Sequence, residues 1–211
     1  MRSKVKTIAT EFFHHLPYSA VGVGAALGLL LTWEKIGWLA FPGTGFHWFH
    51  PLHLFLSALV TTAMFWKYEH RWKKAVVIGI LGTIPLCTAS DILFPYVGAT
   101  WLKMPVQFHF CVVEEPYFVF PATALGILFG LWLPRFVESL TEWTHLLHVL
   151  ISSLASLLYL VAFGFSLWSS SIFAVFLITI VSVWIPCCLS DIAFPLICSD
   201  GELPKCHHHH A

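Results

Sequence analysis

Apolar runs of membrane length alternate with short polar connections along the chain. Reading the hydrophobic positions predicts six helical spans, at about 16–33, 51–66, 75–97, 117–133, 146–164 and 171–197. A helix needs roughly 20 residues to cross the hydrocarbon core. The second run is short, with Pro42, Gly43 and Gly45 in the loop before it. The N-terminal stretch "MRSKVKTIATEFFHHLPYS" is basic, but polar residues and His14-His15 occupy the place of a signal peptide's apolar core. The first span is therefore expected to be retained.

The runs repeat. "CTASDILFP" (87–95) returns as "CCLSDIAFP" (187–195), one hundred positions later. "HHLPYSAVGVGAALGLLL" (14–31) parallels "EEPYFVFPATALGILFGL" (114–131) at an offset of 99, and "HWFHPLHLFLSAL" (47–59) parallels "EWTHLLHVLISSL" (142–154) at an offset of 95. The order of features is the same in residues 1–100 and 101–200, leaving 201–211 as a short tail. Three spans per half is an odd number, so the second half enters from the opposite face. The expected fold class is an all-α integral membrane protein: six transmembrane helices in a 3+3 inverted-topology repeat. Pro85 and Pro186, with Pro95 and Pro195 closing the motifs, predict an interruption in the third helix of each half.

Composition strengthens this picture. The 211 residues are 58% hydrophobic and 10% charged, with a mean hydropathy of +0.79, whereas a soluble domain carries about 25% charged residues. A water-soluble globular domain is excluded on that ground. Charge placement sets an orientation: with the N-terminus inside, Arg2, Lys4, Lys6, Lys67, Arg71, Lys73, Lys74, Arg135 and Lys205 are inner, against Lys35 and Lys103 outer. Nine against two predicts a multi-pass protein with both termini cytoplasmic. Trp33, Trp66, Trp72, Trp101 and Trp132 fall near predicted span ends, as interfacial anchors do. The basic segment "KYEHRWKK" (67–74) reads as an inner-loop signal beside anionic lipid, not as a nucleic-acid site. The six cysteines show no disulfide-framework spacing. The partners implied are membrane lipid and a metal ion; a homo-oligomer is left open.

The chemistry lies in polar residues inside apolar spans. Asp91 and Asp191 each cost about 2.5 kcal/mol or more near a membrane centre unless paired or hydrated. Cys87 and Cys187 stand four residues before them, on the same helix face. His50 and His53, like His145 and His148, are spaced i, i+3, which brings both imidazoles of a pair to one face. Two such imidazoles chelate a transition metal, and a carboxylate on a facing helix supplies charge. The topology sorts these groups into two mirrored clusters, one per leaflet. The outer holds His47, His50, His53, Asp91, Glu114 and Glu115; the inner holds His145, His148, Asp191, His14 and His15, with Glu142 opposite His47 in the repeat. His109 and Cys111 could join the outer cluster, though their place in a loop explains them equally well. The tail "CHHHH" (206–210) has the form of a trimmed purification tag.

These residues lead to a carrier of divalent transition-metal ions, zinc, manganese, iron, cobalt or nickel, with copper added if the cysteines ligate. Two rival readings stand beside it. One is a membrane-embedded metal-dependent hydrolase or oxidase/hydroxylase acting on a lipid-phase substrate. The other is a haem-binding electron carrier. Duplication favours the carrier, since an active site has little need of a mirrored twin.

Overall fold

The computed structural model describes residues 2–37, 42–132, 141–165 and 172–199, the side chains of 2–7, 11 and 141–145 excepted. Every regular element among them is a helix: α1 (Arg2–Lys35), α2 (Pro42–Tyr68), α3 (Trp72–Thr88), α4 (Phe94–Trp101), the single turn α5 (Cys111–Glu114), α6 (Pro116–Trp132), α7 (Thr141–Ala162), α8 (Ile172–Cys188) and α9 (Phe194–Cys198). Four stretches are long and apolar enough to cross a membrane: Ile8–Lys35, Pro42–Tyr68, Trp72–Trp101 and Ile172–Cys198. Pro116–Trp132 and Leu146–Ala162 are apolar but shorter. Helices suit such a composition because hydrocarbon offers no partner to a backbone N–H or C=O, and a helix satisfies both internally.

Two helices begin earlier than the apolar pattern places them. α2 starts at Pro42, where the first turn tolerates a missing N–H, and Pro51 lies within it. α7 starts at Thr141. Consequently His53 stands about 16 Å along the axis from the start of α2, and His148 about 10 Å from the start of α7. Neither residue is at a helix mouth.

The expected interruptions are present, but not at the first proline of each motif. Pro85 and Pro186 lie inside α3 and α8. The departure comes later, as one widened turn at Ala89–Leu93 and another at Leu189–Ala193. There the Phe94 N–H donates to Ala89 O, and the Phe194 N–H to Leu189 O, each five residues back. The ring of Pro95 would press on the carbonyl of Asp91, four residues back, in a regular helix, and Pro195 on that of Asp191. A turn with one extra residue relieves the pressure and keeps the helix running, and such turns gather at functional sites.

α2 is the central helix, packed on α3, α6 and α7, while α1 packs on α7 and α8. The α2–α6 contact is backbone to backbone. A Cβ on Gly126 would strike the Phe55 carbonyl oxygen, and one on Gly130 would lie 2.6 Å from Leu59 O. This glycine pair, four residues apart, is the small-residue spacing by which membrane helices approach closely. The apolar interior includes Phe46, Leu54, Ile92, Leu157 and Tyr159. Val21, Val77, Leu81, Leu128 and Phe173 face outward, as side chains that meet lipid do. His50, His53, Asp91, His148, Ser152 and Asp191 are instead buried among the helices, where intramembrane polar groups belong.

Candidate metal centre

The two widened turns bring the repeated aspartates against the histidines of α2 and α7. Asp91 Oδ2 lies 2.8 Å from His50 Nδ1 and 2.7 Å from His53 Nδ1. Opposite, Asp191 Oδ2 lies 2.6 Å from His148 Nδ1. The remaining ring nitrogens of the two helices meet: His53 Nε2 is 2.7 Å from His148 Nε2, and both residues are 0% exposed. Two thiols flank the meeting point, with Cys87 Sγ 3.7 Å and Cys187 Sγ 3.8 Å from His53 Nε2.

Hydroxyl groups lock this arrangement. Asp91 Oδ1 accepts from Ser90 Oγ at 2.8 Å and Ser152 Oγ at 3.2 Å. Ser156 Oγ donates to Ser90 O at 3.0 Å, tying α7 to the first widened turn. Thr61 Oγ1 donates to Ser190 O at 3.1 Å, tying α2 to the second, and Ser57 Oγ and Ser190 Oγ share a bond of 2.8 Å. Ser57 and Thr61 precede Ser152 and Ser156 by 95 positions, the offset that relates His53 to His148. These hydroxyls carry no charge or ligand signature of their own in the sequence, although the same offset marks them.

The carboxylates decide what the imidazoles offer. An aspartate accepts the proton-bearing Nδ1, so the Nε2 lone pair turns outward, as in carboxylate–histidine–metal triads. Both halves do this, and the two lone pairs converge. At hydrogen-bond distance two lone pairs repel, so a proton belongs between them, and a metal ion could take its place once the nitrogens part to about 3.3 Å. His53, His148 and Cys187 each place a ligand atom within 4.8 Å of the others, while Cys87, 3.7 Å from His53 Nε2, stands outside that group. Two imidazole nitrogens and one sulfur are three of the four donors of a tetrahedral zinc site.

The two clusters expected in opposite leaflets are thus rearranged: His50, His53 and Asp91 share one centre with His148 and Asp191. The reason is depth, because α2 and α7 start early and carry the last histidine of each pair toward the middle. The other expected residues lie elsewhere. His47 Nδ1 is 2.6 Å from Glu115 Oε2. Glu114 is exposed; its Oε1 accepts from the Phe110 N–H at 2.8 Å, and its Oε2 lies 2.9 Å from His109 Nδ1. The Phe110 bond, joined by His109, holds the Glu114 carboxyl below the usual range. Burial pushes the nearby Cys111 thiol up to about 12, with Glu115, Asp91 and Glu114 adding to the effect. His14 and His15 surround Tyr18 on α1, with ring centroids 5.9 and 6.2 Å from it. Neither joins a group of potential metal ligands among the described residues. The side chains of Glu142 and His145 and the tail 201–211 lie outside the described residues. Compared with known protein families, curated proteins and solved structures, the chain matches none.

Proposed function

We propose that the chain is a small polytopic carrier of divalent transition-metal ions, built as a 3+3 inverted repeat, with the ion held between His53 and His148. The observation that carries the reading is the pair of aspartate-backed imidazoles meeting at 2.7 Å inside an apolar helical bundle. With both aspartates ionised and both imidazoles neutral, the centre carries two negative charges, which a divalent cation cancels. Cys187 adds a sulfur donor that favours zinc over manganese and takes copper(I) if sulfur dominates; it ligates as the thiolate, releasing its proton as the ion binds. Each half contributes one histidine, so rocking one half against the other opens the centre to alternate sides.

Burial separates this reading from its rivals. A catalytic metal keeps an open coordination position beside its substrate, whereas His53, His148, Cys87 and Cys187 are all buried. A haem plane would have to pass between imidazole nitrogens 2.7 Å apart. A tetrahedral ion needs the two nitrogens to part only to about 3.3 Å, at Zn–N bonds of about 2.0–2.1 Å.

The test is zinc uptake into liposomes holding the full chain, with His207, His208, His209 and His210 replaced by alanine. Saturable uptake is expected, and His53→Ala and His148→Ala are each expected to lower it to the background of empty liposomes. Uptake at the undiminished rate in either variant would remove the histidine pair from the path. The inverted repeat carries its own test, since charge placement puts Lys103 outside and Arg135 inside. Single cysteines at these positions are expected to react with an impermeant maleimide from opposite faces. Labelling of both from one face would refute the repeat.

A further inference from the structure

A second group of metal-ligating side chains stands apart from the central pair, where α2 and α6 begin. His47, His109, Cys111 and Glu115 each place a ligand atom within 4.8 Å of the others. They come from three places in the chain: α2, the loop and single turn before α6, and the joint at Glu115. The His109 ring is fixed by stacking on Phe163, with centroids 4.5 Å apart and planes 14° apart. Its Nδ1 faces Glu114, and its buried Nε2 has no hydrogen-bond partner. Glu114 therefore does for His109 what the aspartates do at the centre, turning the Nε2 lone pair free.

His50 connects the two groups. It is 1% exposed, its ring stacks on Phe46 at 5.3 Å, and its Nδ1 is bonded to Asp91. Its Nε2 is buried without a hydrogen-bond partner. The residue lines a narrow recess together with His47, Cys111 and Glu115. A buried ring nitrogen with a lone pair and no donor is a costly arrangement unless a cation uses it.

We propose that His47, His109, Cys111 and Glu115 form a second divalent transition-metal site, and that His50 passes its ion inward to the central pair. Two imidazoles, a sulfur and a carboxylate suit zinc, and the negative charges of Glu114, Glu115 and Asp91 draw a cation into the recess. His47 and Glu115 keep side-chain exposures of 29% and 18%, so the site is reachable from the surface while the centre is sealed. The existence of the site is independent of the carrier reading; its loading role rests on that reading.

The experiment is cobalt(II) titration of the full chain, with the four tail histidines replaced by alanine, in three forms: otherwise unaltered, His53→Ala/His148→Ala, and Cys111→Ser/Glu115→Gln. Helicity and elution profile establish that each is folded. Two cobalt ions are expected on the first form and one on each double variant, one for each group of ligands. The ion left on His53→Ala/His148→Ala is expected to show a sulfur-to-cobalt charge-transfer band that disappears on adding Cys111→Ser. Glu115→Gln alone, which preserves size and polarity, is expected to weaken that ion by at least about 100-fold, more than loss of an outer-shell partner does. If His53→Ala/His148→Ala binds no cobalt while Cys111→Ser/Glu115→Gln titrates like the unaltered chain, the second site is overturned and the central one stands. The reverse pattern keeps the second site and removes the central one. In the liposome assay Glu115→Gln is expected to raise the zinc concentration for half-maximal uptake with little change in the maximal rate. Unaltered half-saturation would overturn the loading role alone.

Discussion

Asp91→Asn is expected to abolish zinc uptake, to weaken metal binding at the central pair by about 10–100-fold, and to destabilise the bundle by about 3–5 kcal/mol. Asp91 has four buried partners: His50 and His53 reach Oδ2, and Ser90 and Ser152 reach Oδ1. An asparagine must put its NH₂ in one of those two places, and both are already occupied by donors. The change also removes a buried negative charge that would balance the proposed cation between the imidazoles. Asp191→Asn is expected to abolish uptake equally, because His148 loses the carboxylate 2.6 Å from its Nδ1. Thermal melting in detergent, with uptake measured on the same preparations, checks both statements. Normal uptake by Asp191→Asn would show that one half suffices, and the shared centre would fail as the path.

Gly126→Val is expected to be the most damaging substitution away from the polar centre. The added side chain would meet the Phe55 carbonyl and the Ala58 Cβ, the latter at 2.7 Å from the first new atom alone. Backbone cannot step aside as a flexible side chain can, so α6 must move off α2, at about 3 kcal/mol or more. α2 carries His47, His50 and His53, so this displacement reaches both groups of ligands. Gly28→Val on α1, where nothing lies within 4 Å of the new Cβ, is the matched control and is expected to melt within about 0.5 kcal/mol of the unaltered chain. Equal melting of the two variants would show that the α2–α6 approach is not held by these glycines.

Much of this was legible in one dimension because it depends only on composition and on the helix period. A chain 58% hydrophobic and 10% charged has too little polar surface to face water, and hydrocarbon then demands helices. His50 and His53 share a face because three residues span nearly one turn, and the same periodicity puts Cys87 on the side of Asp91. Those relations hold whatever the neighbouring helices do. What lies across helices was decided by tertiary structure. That His53 and His148 meet depends on how far α2 and α7 extend before their apolar runs and on how closely they pass. Contacts such as Gly126 against the Phe55 carbonyl set those distances, and an apolar pattern does not record them. Pro85 and Pro186 signalled a break, yet helix packing kept the chain helical and moved the irregularity to 89–93 and 189–193, where Pro95 and Pro195 press on the turn before them. His109 and Cys111 looked like loop residues because their partners, His47 on α2 and Glu115 at the start of α6, are brought to them only when the bundle closes. The sequence by itself thus determined which groups share a helix face; only the folded chain decided which faces meet, because local spacing follows the backbone's period while cross-helix distance follows packing.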